Sequence, residues 1–408
     1  MSLYLCVDCG GSKTAAVIIS ASTGKVIGRA NGGPSNIAYL PVPAFIQTIR
    51  ETVGEALKTC FNPPSVEPVS LPPPPPPPPS SSTSIDPTHP TLTSFSFAAA
   101  WFGISGADSP SIIASVLPDL STLLRIPIES GRLVVANDAH LLAAPIRMYQ
   151  SEGVTGAVTV IGGTGSIVVS FTTDSMTKDD LVQLGRVGGW GWILGDEGGG
   201  FSVGREAVRQ ILQQQDAHSV MASPPPEGSL RKSIKEYFGI NDVMELLTEV
   251  YLSDPAPGTV ETGEGVKAHK YMSREKRLSS LSPLVFAAAF PTTSESASQS
   301  ESQSSSSSEP STTPTGDPLA LSVLRTCAED LADQISVLVG PPTASKPKLL
   351  LPQDCVLCFG GSLVGLESYR AMVLDELADK GIQFRYVEFV DDCAKVGAEA
   401  LRKRFEGV

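Results

Sequence analysis

Four glycine-rich turns, each beside an apolar β-like run, limit what this chain can fold into: residues 10–14, 162–166, 188–200 and 360–362. Such a turn after a strand presents successive backbone N–H groups, which form an anion-binding concavity. The first turn follows the run 3–9 and leads into a second run at 15–20, a turn at 22–25 and a third run at 26–30. That order is a β-meander with a phosphate-sized loop at its first bend. The run 158–161, the turn Gly162-Gly-Thr-Gly-Ser166 and the run 167–171 repeat it later in the chain. Two similarly built halves are expected. Hydroxyls stand in both turns, Ser12 with Thr14 and Thr164 with Ser166, which suits a β- and a γ-phosphate held from two sides. There is no GxxxxGK[ST], so this is not a P-loop NTPase, and no GxGxxG opens a helix after the first strand, which argues against a Rossmann dinucleotide site.

The tract 188–200, Gly-Gly-Trp-Gly-Trp-Ile-Leu-Gly-Asp-Glu-Gly-Gly-Gly, joins backbone freedom to two flat aromatics and the acidic pair Asp196-Glu197. This combination suits a polar ring. Glycine lets the backbone close in, carboxylates accept hydroxyl protons and Trp supplies an apolar wall. Asp196 also has a plainer reading, as a cap for a helix over 204–215.

With 408 residues the chain has room for about two domains of ~150 residues each. Its 30 basic against 43 acidic residues leave a charge of −13, which argues against nucleic-acid and anionic-membrane partners. Residues 1–8 lack the basic segment and apolar core of a leader, and no apolar run approaches the ~20 residues of a membrane span. With seven Cys, an odd number, the reading is a cytoplasmic protein with reduced thiols. The pairs Cys6/Cys9 and Cys355/Cys358 lie in or at the ends of β-like runs, where residues three apart face opposite ways, so they are read as apolar residues and not as metal ligands.

Helical periodicity marks 42–60 through Phe45, Ile49, Val53 and Leu57, and helices are expected at 109–124, 206–215, 231–251, 273–290, 317–339, 367–378 and 392–405. Strands are expected at 132–136, 354–359 and 383–390. Residues 62–93, with the run Pro72–Pro79, and the Ser-rich 292–316 are low-complexity insertions, read as disordered. The Pro run is a candidate ligand for an SH3-like partner.

Asp138 sits just past the strand 132–136, at the carboxyl end where open α/β sheets place ligands. There a carboxylate can take the proton of an attacking hydroxyl, or it can cap a helix that begins at Ala139. His140 is read as structural.

Residues 8–14, Asp-Cys-Gly-Gly-Ser-Lys-Thr, resemble the first phosphate motif of the BadF/BadG/BcrA/BcrD-type ATPases, relatives of actin and hexokinase. Asn137-Asp138-Ala139, Gly163-Thr-Gly-Ser166, Gly188-Gly-Trp-Gly191, Gly195-Asp-Glu-Gly198 and Gly360-Gly-Ser362 follow in that family's order. Together they are similar to its eukaryotic N-acetylglucosamine kinases, over nearly the whole chain outside the two insertions. The resemblance implies a two-lobed α/β fold of the actin-like/hexokinase-like type, with a ribonuclease H-like motif on a mixed five-stranded sheet in each lobe. The lobes would be 1–142 and 143–391, with a helix in 392–408 packing back on the first.

The same resemblance implies the site. Gly10, Gly11, Ser12 and Thr14 would hold the ATP phosphates from one side, and Gly163, Thr164 and Gly165 from the other. Gly360, Gly361 and Ser362 would line the nucleoside side, and Asp8 would stand near Mg²⁺, through water. Asn36, Asp138, Ser166, Gly189, Trp190, Gly191 and Asp196 would hold the sugar, Asp138 would be the base, and Trp192 would be packing. The expected reaction converts ATP and N-acetylglucosamine to the 6-phosphate and ADP. Rival readings are a kinase for glucosamine or N-acetylmannosamine, an inactive sugar-sensing regulator, and an iron–sulfur ATPase activator, which the Cys spacing disfavours. A homodimer is a further candidate. Two positions depart from the family pattern: Ile167 stands where vertebrate members carry Asn, which bears on sugar choice, and Cys9 replaces a glycine.

Overall fold

The first apolar run folds as β1 (Ser2–Cys9), and its side chains divide between two cores: Leu3, Leu5, Val7 and Cys9 enter one, Tyr4 and Cys6 the other. A strand buried on both faces needs cover on both. β2 (Thr14–Ser20) and β3 (Val26–Gly32) extend the sheet as an antiparallel meander. α1 (Val42–Lys58) covers the first face with Phe45, Ile49, Val53 and Leu57. β4 (Ser96–Ile104) pairs parallel with β1, and α2 (Pro110–Leu124), capped by the Ser109 hydroxyl, returns the chain to β5 (Leu133–Asn137), parallel to β4. The short α3 (Ala139–Leu142) follows. The computed structural model describes residues 2–11, 13–61, 64–65, 71, 96–173, 181–221, 223–256, 267–291 and 316–405. Most of both insertions, including Pro72–Pro79, lies outside the described residues, as does Ser12.

The second lobe repeats the plan strand for strand. β6 (Gly156–Gly162), β7 (Ser166–Thr173) and β8 (Leu181–Gly188) form the meander. After α4 (Gly200–His218), α5 (Ser229–Phe238), α6 (Leu246–Val250), α7 (Arg274–Ser279), α8 (Ser282–Ala289) and α9 (Pro318–Ser336), β9 (Cys355–Gly360) pairs parallel with β6. α10 (Glu367–Asp379) leads to β10 (Tyr386–Phe389), parallel to β9, and α11 (Cys393–Phe405) ends the described chain. The two five-stranded sheets run β3-β2-β1-β4-β5 and β8-β7-β6-β9-β10, the same order when each is read from its meander edge. This is the two-lobed α/β fold with a ribonuclease H-like motif in each lobe.

Two long helices expected from periodicity are broken. The segment 231–251 stops at Gly239, whose left-handed backbone (φ 70°) turns the N–H back to the Lys235 and Glu236 carbonyls. The segment 273–290 divides between Ser279 and Ser282, where Pro283 opens a new first turn.

The lobes join just past Asp138. Leu142, Ile146 and Val154 pack with Val169, Phe171 and Val356 of the second sheet. α11 lies against the first sheet, with Ala394, Ala398 and Leu401 beside Cys6, Val17 and Trp101. Its Cys393 and Val396 also reach the second lobe's cluster. All seven cysteines are free, and Cys6 and Cys9 face different cores. Among the described residues no helix is long and apolar enough to cross a membrane.

Candidate active site

Three segments of the first lobe meet at the carboxyl ends of its strands. The Ser105 N–H donates to the Cys9 carbonyl (2.9 Å), Ile37 N–H to the Ser105 carbonyl (3.1 Å), and Ser35 N–H to the Gly10 carbonyl (3.0 Å). This lattice sets Asn36 so that its Nδ2 donates to Ser105 Oγ at 3.2 Å, while its Oδ1 accepts from Ala38 N–H at 2.9 Å. The Ser105 side chain also acts on the Asp138 carboxylate, whose pKa it pulls down. Asn36 and Asp138 are therefore joined through a residue that carried no expected role. β4 has glycine at 103, and a methyl there would strike the Leu141 side chain and come within 3.2 Å of Asp138 Cα, so the Asp138 turn lies directly on the strand.

Asp138 does occupy the position before α3, but its side chain makes no cap bond; the Ala139 N–H is taken by Asn137 Oδ1 at 3.0 Å. The capping reading of Asp138 thus falls. Burial raises its pKa, against the opposing pull of the Ser105 hydrogen bond. Asp8 is pushed from the ordinary 3.8 up to about 6, first by burial and then by the charge of Asp138, with Lys13 pulling the other way. Burial lowers the pKa of His140, whose ring stands edge-on to Phe171 with the centroids 4.8 Å apart.

The first glycine turn is closed by the Gly10 N–H donating to the Lys13 carbonyl (3.0 Å), leaving Gly11 and Lys13 exposed. Thr14 is fully buried, and its hydroxyl lies 2.6 Å from both the Gly33 carbonyl and Ser35 Oγ, so it fastens two turns together.

The second turn is pinned from behind. The Gly200 and Phe201 N–H groups at the start of α4 donate to the carbonyls of Gly163 (2.8 Å) and Thr164 (2.9 Å). These are amides that a helix start leaves unsatisfied, and the helix dipole places positive charge behind the loop. Thr164 is exposed. The third turn lies beside the second: Leu363 N–H donates to the Gly162 carbonyl (2.9 Å), and a methyl on Gly163 would stand 3.8 Å from Ser362 Oγ. Gly361 and Ser362 are exposed while Gly360 is buried.

The tract 188–200 folds onto the second turn. The buried Ser166 hydroxyl donates to the Glu197 carbonyl at 2.6 Å. Gln334 Nε2 donates to the same carbonyl at 2.7 Å, and the Glu197 carboxylate pairs with Arg205, so Glu197 locks the tract to α4 and α9. Asp196 does not cap α4, which starts after Gly199. It holds a left-handed backbone (φ 62°), costly for a residue with a side chain, and its carboxylate lies against Gly165. Trp190 is 67% exposed, with the Arg186 guanidinium 5.5 Å from its ring centroid and Arg186 Nη2 donating to the Gly189 carbonyl between them (2.8 Å). Gly191, next to it, is also exposed, whereas Trp192 packs edge-on against Phe201.

A cavity of about 900 Å³ separates the lobes, with Asn36, Ser105, Asp108 and Asp138 on one wall and Ile167, Gln183 and Arg186 on the other. Ser166, Gly189, Trp190, Gly191, Asp196 and the phosphate-turn glycines do not line it. Ser105 and Asp108 had a legible signal in Gly103-Ile-Ser-Gly106, a fifth glycine turn after a β-run. Arg186 had none.

The elevated Asp8 carries a consequence for pH. Its protonated form is the one that folding favours, so its contribution to stability is complete below about pH 4 and is lost as pH rises through 6. Asp8→Asn is expected to raise stability by about 1–2 kcal/mol at pH 8, after discount for partial exposure, and by nothing at pH 4. Denaturant melts of both proteins at the two pH values check this; equal gains at both would remove Asp8 ionisation as the cause.

No protein-family model matches the chain. In sequence it is 29% identical over 219 residues to a Clostridium acetobutylicum protein named N-acetylmuramic acid/N-acetylglucosamine kinase, a match covering 53% of this chain and 55% of that one. It is 25% identical over 287 residues to the N-acetyl-D-glucosamine kinase of Dictyostelium discoideum, covering 70% and 71%. The chain thus spans little more than half of the first relative's length. Its curated relatives are sugar kinases by name. In fold, a solved Porphyromonas gingivalis structure, provisionally described as an N-acetylglucosamine kinase, matches along 100% of both chains with a TM-score of 0.53 at 18% identity. The motif resemblance to N-acetylglucosamine kinases is therefore accompanied by sequence similarity over 53% and 70% of the chain, although one relative is bacterial and nothing singles out the eukaryotic members.

Proposed function

We propose that this protein is an ATP-dependent kinase that phosphorylates the 6-hydroxyl of N-acetylglucosamine, giving N-acetylglucosamine 6-phosphate and ADP. The observation that carries the reading is the Asn36–Ser105–Asp138 chain at the strand ends, set in a cleft between lobes that each carry a glycine turn. The names of the two curated relatives support it.

In this reading Asn36 and Ser105 orient the sugar hydroxyls. Asp138 takes the 6-hydroxyl proton as that oxygen attacks the γ-phosphorus, and the bond to the β–γ bridging oxygen breaks, releasing ADP. The Gly11, Thr164 and Gly165 amides hold the phosphates on turns that Gly10 and Gly163 close, and Gly360–Ser362 face the nucleoside. Asp8 and Asp138 offer hard carboxylate oxygens, and among the described residues no larger cluster of metal-ligating side chains forms. That set fits Mg²⁺, which is commonly held by one or two carboxylates together with phosphates and water. When bound, Mg²⁺ would neutralise charge on the transferred group. Protonation of Asp8 below about pH 6 would then weaken nucleotide binding. Closure of the lobes about the segment after Asp138 would exclude water.

Sugar choice follows from the opposite wall. Ile167 offers an apolar contact for an acetamido methyl, and Arg186 opposes the ammonium of glucosamine. An ADP-release assay over N-acetylglucosamine, N-acetylmannosamine, glucosamine and glucose is expected to favour N-acetylglucosamine by about tenfold or more in kcat/KM. Phosphorus NMR of the product would place the phosphate on the 6-oxygen. Equal turnover of glucose would overturn the acetamido preference, and sugar binding without turnover of any member would point to a sensing regulator. ATP as substrate and seven free thiols fit a cytoplasmic site of action.

A further inference from the structure

Two consecutive residues near the start of α10 hold two different parts of the second lobe's glycine turns. Arg370 serves the third turn, where its Nη1 donates to the carbonyls of Val364 (2.9 Å) and Gly365 (2.7 Å). The Gly365 N–H in turn donates to the Gly361 carbonyl (2.9 Å), so Arg370 holds the loop that Gly361 and Ser362 begin. Tyr369 serves the tract 188–200: its hydroxyl donates to the Gly198 carbonyl at 2.9 Å. Neighbouring side chains on a helix point about 100° apart, so one turn of α10 can hold both segments at once.

The Tyr369 hydroxyl is not needed for packing. The side chain is fully buried in the second lobe's core, with its ring edge-on to Phe286 of α8 and the centroids 5.6 Å apart. Phenylalanine would fill that space. A hydroxyl in an apolar core costs free energy unless it finds a partner, and here the partner is a carbonyl of the tract. Burial pushes the phenol well above its ordinary pKa, so the oxygen keeps its proton and stays a donor.

Gly198 sits where the tract has least room. Its backbone is left-handed (φ 80°), and a methyl on it would stand 2.8 Å from Leu331 Cβ and 2.9 Å from the Cys327 carbonyl oxygen of α9. Two residues before it Asp196 holds its own left-handed backbone, and directly after it Gly199 lies against Gly165. The preceding carbonyl, that of Glu197, is held from β7 by Ser166 and from α9 by Gln334. Tyr369 adds the tie to α10, the helix that follows the third turn.

We propose that Tyr369 is a positioning residue that couples the third turn to the 196–199 segment, so that nucleotide bound at the one raises sugar affinity at the other. In the kinase reading, on which this assignment rests, ordering of the third turn passes through Arg370 to the start of α10. The Tyr369 hydroxyl carries it to Gly198, and so to Asp196 on one side and the phosphate loop on the other. Such a coupling is a free energy shared by two sites and acts in both directions.

Calorimetric titration of N-acetylglucosamine, with and without a saturating non-hydrolysable ATP analogue and Mg²⁺, reads the coupling without turnover. In wild type the analogue is expected to tighten sugar binding by about fivefold or more. Tyr369→Phe keeps the ring and removes the hydroxyl, and the factor is expected to fall to within about twofold of unity. Phe286→Leu loosens the ring packing and leaves the hydroxyl bond, so it should lower the Tm but keep the coupling. Equal erosion of coupling in Phe286→Leu would assign the effect to packing and overturn the proposal, as would a wild-type factor in Tyr369→Phe. Wild-type protein that binds both ligands independently would overturn it and leave the kinase reading in place. Failure to bind the sugar or the analogue at all would remove both. Should Tyr369→Phe not fold, Arg370→Gln breaks the same link at its other end, and coupling retained there would overturn the proposal.

Discussion

Asp138→Asn is expected to lower kcat by about 10²–10⁴-fold while leaving the KM for the sugar within a few-fold. Asn keeps the size of the side chain, and the Asn36–Ser105 hydrogen bond does not involve Asp138, so that link survives the change. What is lost is a group able to take a proton. The structural alternative for Asp138, helix capping, would predict lost stability and little change in turnover, but the side chain makes no cap bond. Burial, the largest influence on Asp138, raises its pKa and so makes it a better proton acceptor when ionised. Steady-state ADP release, run on wild type and variant from the same preparation, decides the matter. A loss smaller than tenfold would leave catalysis to positioning and phosphate neutralisation, and the base role would be withdrawn.

Ser105→Ala separates positioning from chemistry in the same assay. The Asp138 carboxylate would remain, but its orienting donor and the bridge to Asn36 would not. A rise in sugar KM larger than the fall in kcat is the expected split, since Ser105 acts through the placement of two other side chains.

How much could be read beforehand depended on whether the signal was local. Phe45, Ile49, Val53 and Leu57 repeat at helical spacing because one face of α1 must be apolar, and that face is buried as the spacing requires. The duplicated strand–turn–strand order gave both meanders, because glycine turns after β-runs are local chemistry. Gly239 and the Ser279–Ser282 break were missed because apolar spacing on either side runs on across them, and only tertiary packing shows where the chain turns. In the site, residue type was legible but hydroxyl direction was not. Thr14 and Ser166 sit in phosphate-motif positions, and each spends its hydroxyl on a carbonyl from a segment distant in sequence, Gly33 and Glu197. Arg186 shows the same limit from the other side. Its interaction with Gly189 and Trp190 needs the turn at the end of β8, which periodicity does not describe. Asp196 was noticed for its carboxylate, whereas its left-handed backbone, the stronger sign of a constrained site, appears only in three dimensions.

Gly199→Ala is expected to cost about 1–3 kcal/mol of stability, a fall in Tm of about 3–10 °C for a lobe of this size, and to weaken ATP binding by more than the stability loss alone explains. The reason is a backbone-to-backbone approach. A methyl on Gly199 would stand 2.7 Å from the Gly165 carbonyl carbon and 2.9 Å from its Cα and oxygen. No flexible side chain can swing aside there, so one of two main chains must move. Gly199 precedes α4, whose first two N–H groups fix the Gly163 and Thr164 carbonyls, and the Gly165 carbonyl accepts from the Gly163 N–H at 2.9 Å. Moving either strand of this contact turns the loop amides away from where a phosphate would sit. Gly33→Ala is the matched control, because an added methyl there meets nothing within 4 Å; it should change stability by no more than about 0.5 kcal/mol. Thermal melts with and without an ATP analogue distinguish the outcomes. If Gly199→Ala lowers the Tm but keeps the full stabilisation by nucleotide, the 163–165 loop is a structural turn and the phosphate-binding role must lie elsewhere in the cleft. If nucleotide no longer stabilises the variant while Gly33→Ala responds as wild type, the contact between Gly199 and Gly165 is what holds the phosphate loop in register.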